Sequence, residues 1–524
     1  MLYHNGLDAI PGARLLPLPN LMPSAQPPAD LPLLDTHVPE PATGRREEQA
    51  RSLVVELGEA LERRGVMYCC QWKGSWKKRR WMAGEGDIDL LVERATEPQF
   101  TAVLEELGFH RASPPVEARV AGMESCFGLD RVTGRLIHVH VHYQLLTGGF
   151  WTTIYRLPFE RAVLDSTIAR SVFRTPAPEF ELLVFAIRMV QRYRLRDVLR
   201  GQPGWLKSIQ GELDALLKEV ELHRLGDVLA QHLPTMDLAF VDECLASLRP
   251  GYSPWSRLVL RRELHDRLRA HARRAPLGRR LWRVVRSILT LGGRLGGGSM
   301  KKRLAHGGTV IALVGGDGAG KSTCVQELAR WLGSDLDVMT AHLGRPPRSW
   351  LTLAVGALLK IRRRIVGEPG GDDPTAFPGY LYCLRDLCTA RDRYLLYLKA
   401  RRFALAGGLA LCERYPVPQN YELAGPRLDP FAPRLSRNAL GRLMLAAERR
   451  YYQHILAPDI LIVLRVDPEL AVQRKTTEPA DYVRQRNRVV RDVDWSGSGA
   501  QFVEAGRPLA EVVEDLKALI WAEL

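Results

Sequence analysis

The chain lacks the features that mark secreted, zinc-ribbon or membrane-spanning proteins. Its eight cysteines, Cys69, Cys70, Cys126, Cys244, Cys324, Cys383, Cys388 and Cys412, contain no C-x-x-C pair and keep no regular spacing. That distribution argues against a disulfide framework and points to a reducing setting. No apolar run reaches the ~18 residues that a membrane-spanning helix needs. The N-terminus has no charged segment followed by an apolar core, so a secretory signal is not expected and a cytoplasmic location is.

Acidic residues are nearly missing from one segment. Between Arg257 and Arg303, thirteen Arg and two Lys face one Glu and one Asp, which accounts for almost all of the net charge of +15. With the flanks close to balance, the charge is local and does not make the whole protein a nucleic-acid binder. No aromatic stacking platform or recognition motif accompanies it, so no specific nucleic-acid partner is expected. Leu277, Leu281, Trp282, Val285, Ile288 and Leu289 recur at helical spacing among these arginines. Such a stretch is either an interfacial helix touching anionic membrane through residues 276–295 or a linker helix with solvated arginines. The linker reading is slightly preferred.

Along the chain, periodicity predicts an α/β multidomain protein. Residues 1–45 carry nine prolines and little periodicity, as a disordered arm does. Alternating strand-like and helix-like segments over 46–175 predict a small α/β domain, and three- and four-residue apolar spacing predicts a helical middle over 176–272. The basic linker spans 273–307 and ends in the glycine-rich "LTLGGRLGGGSM". From 308 to 524, strand and helix alternate again, which predicts a parallel sheet with flanking helices.

The strongest motif is "VIALVGGDGAGKST", a G-x-x-x-x-G-K-[ST] loop between an apolar strand and an amphipathic helix. Glycines let backbone N–H groups turn inward around phosphate, and the helix N-terminus adds its positive dipole end. The residues predicted to cradle an ATP or GTP phosphate chain are Gly315, Gly316, Asp317, Gly318, Ala319, Gly320, Lys321, Ser322 and Thr323. Lys321 is expected to reach the terminal phosphates and Ser322 to ligate Mg²⁺.

The spelling "GGDGAGKST", with Asp317 inside the loop, resembles the thymidylate kinase family, and the likeness runs in order along residues 308–524. "ARDRYLLYLKARRFALAGGLALCERY" resembles that family's A-x-D-R helix and the strand ending in D-R-Y, which fall here on Asp392–Arg393 and Glu413–Arg414–Tyr415. "PDILIVLRVDPELAVQRK" resembles the next strand and its D-P-E turn, Asp467–Pro468–Glu469, and "TTEPADYVRQRNRVVRD" the arginine-bearing lid. The resemblance implies an ATP- and Mg²⁺-dependent transfer of a phosphoryl group to a small phosphorylated acceptor, by family a nucleoside monophosphate. It implies that Asp317 positions the acceptor, Glu413 organises Mg²⁺, Arg393 and Arg414 hold the acceptor phosphate, and Arg474, Arg484 and Arg488 close over the transferred group. Two departures stand out. Glu413 replaces the family's Asp, and "HLGRPPRS", with Arg345, fits the family's acceptor loop poorly, while "GEPGGDD" echoes that loop too late in the chain. The domain fusion resembles thymidylate-kinase-like proteins that accompany bacterial surface-polysaccharide genes, which raises a sugar or lipid-linked acceptor as an alternative. A non-catalytic nucleotide-binding scaffold is a further alternative.

"KGSWKKRRWMAGEGDIDLLVE" separates Gly74-Ser75 from Asp87-Ile88-Asp89 by eleven intervening residues. Two carboxylates flanking one strand residue share a face and can share a divalent metal. The pattern resembles nucleotidyltransferases related to polymerase β. In that family a later strand brings a third carboxylate, and here "IHVHVHYQ" stands in its place, with His140 at the acid's position. Four readings stay open: Asp87, Asp89 and His140 with an altered metal; a degenerate site; a zinc trio of His138, His140 and His142; and hydrogen-bonded strand histidines. Degeneracy is slightly preferred over activity, and the zinc trio is placed last.

Overall fold

The computed structural model describes residues 51–70, 78–115, 119–148, 155–170, 172–199, 203–273, 299, 301–366 and 377–524. The proline-rich arm, the Gly74-Ser75 element, the 276–295 segment and the Gly367–Asp373 stretch lie outside them. The described residues all belong to one unit, 50–524.

The first sheet is built from β1 (Tyr68–Cys70), β2 (Ile88–Val92), β3 (His110–Ser113), β4 (Met123–Asp130) and β5 (Arg135–His142). Its spatial order is β1-β2-β5-β4-β3, with β2 and β5 parallel and the other neighbours antiparallel. Strand side chains alternate between faces, so the sequence period of two decides what each face meets. Tyr68, Cys70, Ile88, Leu90, Val92, Ile137, Val139 and Val141 bury one face together with apolar residues of the helices Leu53–Arg63 and Glu97–Glu106. The opposite face carries Cys69 and Leu91 into the helical core and Phe127 and Ala112 into a separate apolar cluster. Two short pairs follow, β6 (Leu146–Thr147) with β7 (Tyr155–Arg156) and β8 (Ile168–Ala169) with β9 (Arg174–Thr175).

The helical region centres on Pro178–Gln191, whose side chains are almost all buried. Gln210–Glu219, Leu222–His232, Leu238–Ser247 and Pro254–Arg267 pack around it through leucines at helical spacing. Arg257 is buried here, and its guanidinium donates to the carbonyls of Ser247 and Arg249, each at 2.9 Å. Arg303–Leu304, at the end of the stretch read as linker, instead form β10, an edge strand antiparallel to β3 that makes the first sheet six-stranded.

The second sheet is fully parallel, in the order β12 (Val338–His342), β13 (Leu409–Glu413), β11 (Thr309–Gly315), β14 (Ile460–Arg465), β15 (Ala500–Glu504). Its strands read as continuous apolar runs because helices cover both faces. Lys321–Leu332 and Leu509–Ala522 pack on one side, and Tyr380–Leu405 on the other. No described helix is long and apolar enough to cross a membrane.

An apolar seam of Ala112, Phe127, Leu304, Leu332, Leu336, Leu409 and Trp521 joins the two sheets. Trp521 Nε1 donates to the Gly108 carbonyl at 2.9 Å, and its ring meets His110 edge-on with centroids 5.0 Å apart. The Leu304 amide donates to the Gly407 carbonyl at 2.9 Å while Leu304 pairs with Ala112, so one residue contacts both halves. Truncating a buried Trp to Ala removes packing and leaves a cavity. Trp521→Ala is therefore expected to lower unfolding stability by about 3–5 kcal/mol, whereas Trp521→Phe loses less, as measured by chemical denaturation.

Candidate functional site

The phosphate-binding loop leaves the C-terminal end of β11 and runs into the helix Lys321–Leu332. Strand β11 has β13 on one side and β14 on the other, so the loop opens where the strand order reverses, the usual crevice of an open parallel sheet. Gly318 has φ +83°, and a Cβ there would sit 2.6 Å from the Ala471 carbonyl oxygen. A Cβ on Gly316 would overlap Asn487 Oδ1 at 2.0 Å. These two glycines let the helices Pro468–Arg474 and Ala480–Asp492 close against the loop.

Lys321 is buried, and its Nζ donates to the Gly316 carbonyl at 2.5 Å. Burial, aided by the nearby Arg414, pushes its pKa down to about 8. Ser322 Oγ donates to Glu413 Oε1 at 2.8 Å. Glu413 ends β13 opposite His342 of β12, and His342 Nε2 lies 3.8 Å from Glu413 Oε1. Because His342 Nδ1 accepts from the Arg345 amide at 3.0 Å, its proton belongs on Nε2, toward that carboxylate.

Asp317 is the electrostatic centre of the loop. Arg414 Nη2 donates to its Oδ1, Arg486 Nε forms an ion pair with its Oδ2 at 2.7 Å, and Asn487 Nδ2 donates to its carbonyl at 2.8 Å. Burial opposes the charge of Asp317, but Arg414, Lys321 and Arg486 outweigh it and hold the carboxyl below its ordinary range. Arg414 is the one non-glycine residue with positive φ among the described residues, at +53°. That conformation costs on the order of 1 kcal/mol or more and persists where surrounding contacts impose it, here the pairing with Asp317.

The remaining arginines divide differently from the sequence expectation. Arg393 is buried, donates to the carbonyls of Leu343 at 2.7 Å and Ala424 at 3.2 Å, and also contacts Tyr452 Oη. Asp392 beside it accepts from the Ser349 amide at 2.9 Å and Thr352 Oγ1 at 2.6 Å, capping the helix Trp350–Val366. Arg474 donates to the Ala505 carbonyl at 2.7 Å, and Arg484 forms a forked pair with Glu469 at 2.7 and 3.0 Å. Arg488 is exposed. The arginine of the helix Ala480–Asp492 that reaches the loop is Arg486, and with Asn487 and His342 it was missed by sequence reading. A signal existed: Val483, Asn487 and Val490 are the buried positions of that helix and mark its inner face.

In the first sheet, β2 and β5 run in register Asp89↔His140, which puts Asp87, Asp89, His138, His140 and His142 on one face. The structure brings Asp87 together with His138 and His140, whose donor atoms all lie within 4.8 Å of one another. His138 Nδ1 is 2.8 Å from Asp87 Oδ1, and His138 stacks flat on Phe127 with centroids 4.3 Å apart. Burial lowers the pKa of His138 and pushes that of His140 down to about 3, so both rings are neutral near pH 7. Asp89 goes elsewhere: its Oδ1 lies 3.9 Å from His142 Nε2, and its charge acts on the half-buried Arg188. Lys302, preceding β10, holds its ammonium 5.3 Å from the Phe127 ring centroid, within electrostatic reach of Asp87.

A group whose pKa is lowered toward 8 carries its full charge only below that value. Affinity for inorganic triphosphate is therefore expected to hold up to about pH 8 and then fall by up to roughly tenfold per unit, as Lys321 loses its proton. Calorimetric titration of the Lys321→Arg variant removes the ligand's own ionisation from the comparison. A difference between the two proteins that stays flat across pH 8 contradicts the assignment.

No family model matches the chain. It is 25% identical over 229 residues to the uncharacterized ATP-binding protein YghR of Escherichia coli K12, a match covering 40% of this chain and 86% of that protein. It is 24% identical over 226 residues to the uncharacterized ATP-binding protein YghS of the same strain, covering 41% of this chain and 93% of that protein.

Proposed function

We propose that this chain binds ATP with Mg²⁺ at the Gly315–Thr323 loop and transfers the γ-phosphoryl group to a phosphorylated small molecule, in the manner of thymidylate-kinase-like enzymes. The observation that carries this reading is the Asp317 carboxylate held between Arg414, at the end of a core strand, and Arg486, from the lid. That arrangement ties three cationic side chains, Lys321 included, to a carboxylate inside the phosphate loop, where an acceptor hydroxyl or phosphate oxygen can be positioned. The description of two relatives as ATP-binding proteins supports the choice of nucleotide.

Ser322 and Glu413 offer the hard oxygen donors that suit Mg²⁺, which when bound supplies charge neutralisation on the β- and γ-phosphate oxygens. In the transfer, an acceptor oxygen bonds to the γ-phosphorus, the bond to the β–γ bridging oxygen breaks, and ADP leaves with that electron pair. Lys321, Arg414 and Arg486 hold the charge that spreads over the equatorial oxygens. The first sheet, with Asp87 at one strand end and His140 opposite Asp89, supports a degenerate nucleotidyltransferase-like domain.

A second acceptor is favoured by Arg393. Its contacts with two carbonyls and Tyr452 leave the helix-borne arginine of the family pattern turned into the protein, which supports a sugar or lipid-linked acceptor as the alternative to the nucleoside monophosphate of the first reading.

An ATP-consumption screen over nucleoside monophosphates, sugar phosphates and sugars tests both readings. Lys321→Ala is expected to lower turnover by at least ~100-fold with the fold retained. Turnover with thymidylate supports the first acceptor, and turnover with a sugar compound alone supports the second. A Lys321→Ala protein that sustains full cellular function would leave a non-catalytic scaffold instead.

A further inference from the structure

We infer that Asp87, His138 and His140 bind one divalent transition-metal ion, through one carboxylate oxygen and two imidazole nitrogens. This assignment stands apart from the phosphate-loop reading and uses none of its residues. It also differs from the Asp87–Asp89 pair that the sequence suggests, because it leaves Asp89 out.

The geometry supports a single ion. Asp87 directs one oxygen toward each ring: Oδ1 lies 2.8 Å from His138 Nδ1 and Oδ2 lies 3.8 Å from His140 Nε2. A tetrahedral ion with ligand bonds of about 2.0–2.2 Å separates its donors by roughly 3.3–3.6 Å, which falls between those two distances. The three donors all lie within 4.8 Å of one another, so side-chain shifts of up to about an ångström bring one carboxylate oxygen and the two nitrogens onto a single ion. His138 is held by its stack on Phe127, and its other nitrogen, Nε2, is buried with no hydrogen-bond partner among the described residues. Among the described residues Asp87 thus holds the one polar contact that orients the ring, at the nitrogen a metal would take.

The donor set selects the ion. Imidazole is a borderline ligand that suits zinc, cobalt or nickel, whereas Mg²⁺ and Ca²⁺ need oxygen donors. The histidines that make a poor two-magnesium site therefore make a fitting transition-metal site. The Asp87 side chain is 38% exposed, so one side of the cluster faces solvent and leaves room for a fourth donor. Three protein ligands with an open position is the arrangement of catalytic rather than structural zinc sites. Lys302, approaching from the β10 side, opposes the ion's charge and suits an anionic group at that fourth position.

Cobalt titration of the chelator-stripped full-length chain, followed by visible absorption, tests the assignment. The expected result is one Co²⁺ per chain, displaced by Zn²⁺ and not by excess Mg²⁺. Residues that only orient a metal's ligands are worth about 10–100-fold in affinity, so His138→Ala and His140→Gln should each weaken binding by on the order of 100-fold or more. His142→Gln, outside the cluster, should bind as the wild type does. His140→Asp keeps a ligand and should shift preference from Zn²⁺ toward Mg²⁺ or Mn²⁺, which tests the site even where a truncation unfolds the sheet. Absence of Co²⁺ binding by the wild type overturns the proposal. So does binding that survives both histidine substitutions or shows intense thiolate charge-transfer absorption.

Discussion

Every amide and carbonyl from Val310 to Val314 needs a partner, because β11 has a strand on each side and both faces are covered by helices. That requirement fixes the strand in register between β13 and β14, and it fixes where the strand must stop. The glycine loop begins at that point, and Glu413 and Arg414 arrive at the same level because β13 is pinned by the same ladder. The phosphate-binding geometry is thus a consequence of how the central strand is paired. A slip by one residue would turn Glu413 away from Ser322 and remove the positive-φ turn that aims Arg414 at Asp317.

A related constraint orders the first sheet. Ile137, Val139 and Val141 are buried among apolar residues, and strand geometry then places His138, His140 and His142 on the opposite face. That face is bounded by the helical core at the β1–β2 side and by the apolar seam at the β4–β3–β10 side. The carboxylates therefore meet cations brought by distant parts of the chain: Arg188 acts on Asp89, and Lys302 on Asp87. Because β10 belongs to the first sheet while Leu304 also bonds to Gly407, Lys302 links the two α/β portions through a covalent path of few residues.

The parallel sheet, the helical middle and the loop at Gly315–Thr323 were legible because each rests on local periodicity or a contiguous motif. Arg414 was singled out through the family resemblance, as a holder of the acceptor phosphate; its pairing with Asp317 came from the tertiary structure. Arg393, Arg474 and Arg484 show the limit of that approach. Each lies on a helix or at its end, where an arginine's reach allows inward or outward partners, and the neighbours that decide are remote: Leu343 and Ala424 for Arg393, Ala505 for Arg474. Arg486 differs from Arg484 only by two positions, yet the buried face set by Val483, Asn487 and Val490 carries Arg486 to the loop while Arg484 pairs with Glu469.

The sequence by itself determined which residues could cradle phosphate, because that chemistry needs glycines, a lysine and a hydroxyl at fixed contiguous spacing. It also determined that three histidines share a face, because strand geometry has a period of two. Only the tertiary structure decided that Asp317 is gripped by Arg414 and Arg486, and that Asp87 rather than Asp89 joins His138 and His140. Those outcomes depend on contacts between segments tens to hundreds of residues apart, where strand register and helix rotation, and not local spacing, set which charges meet.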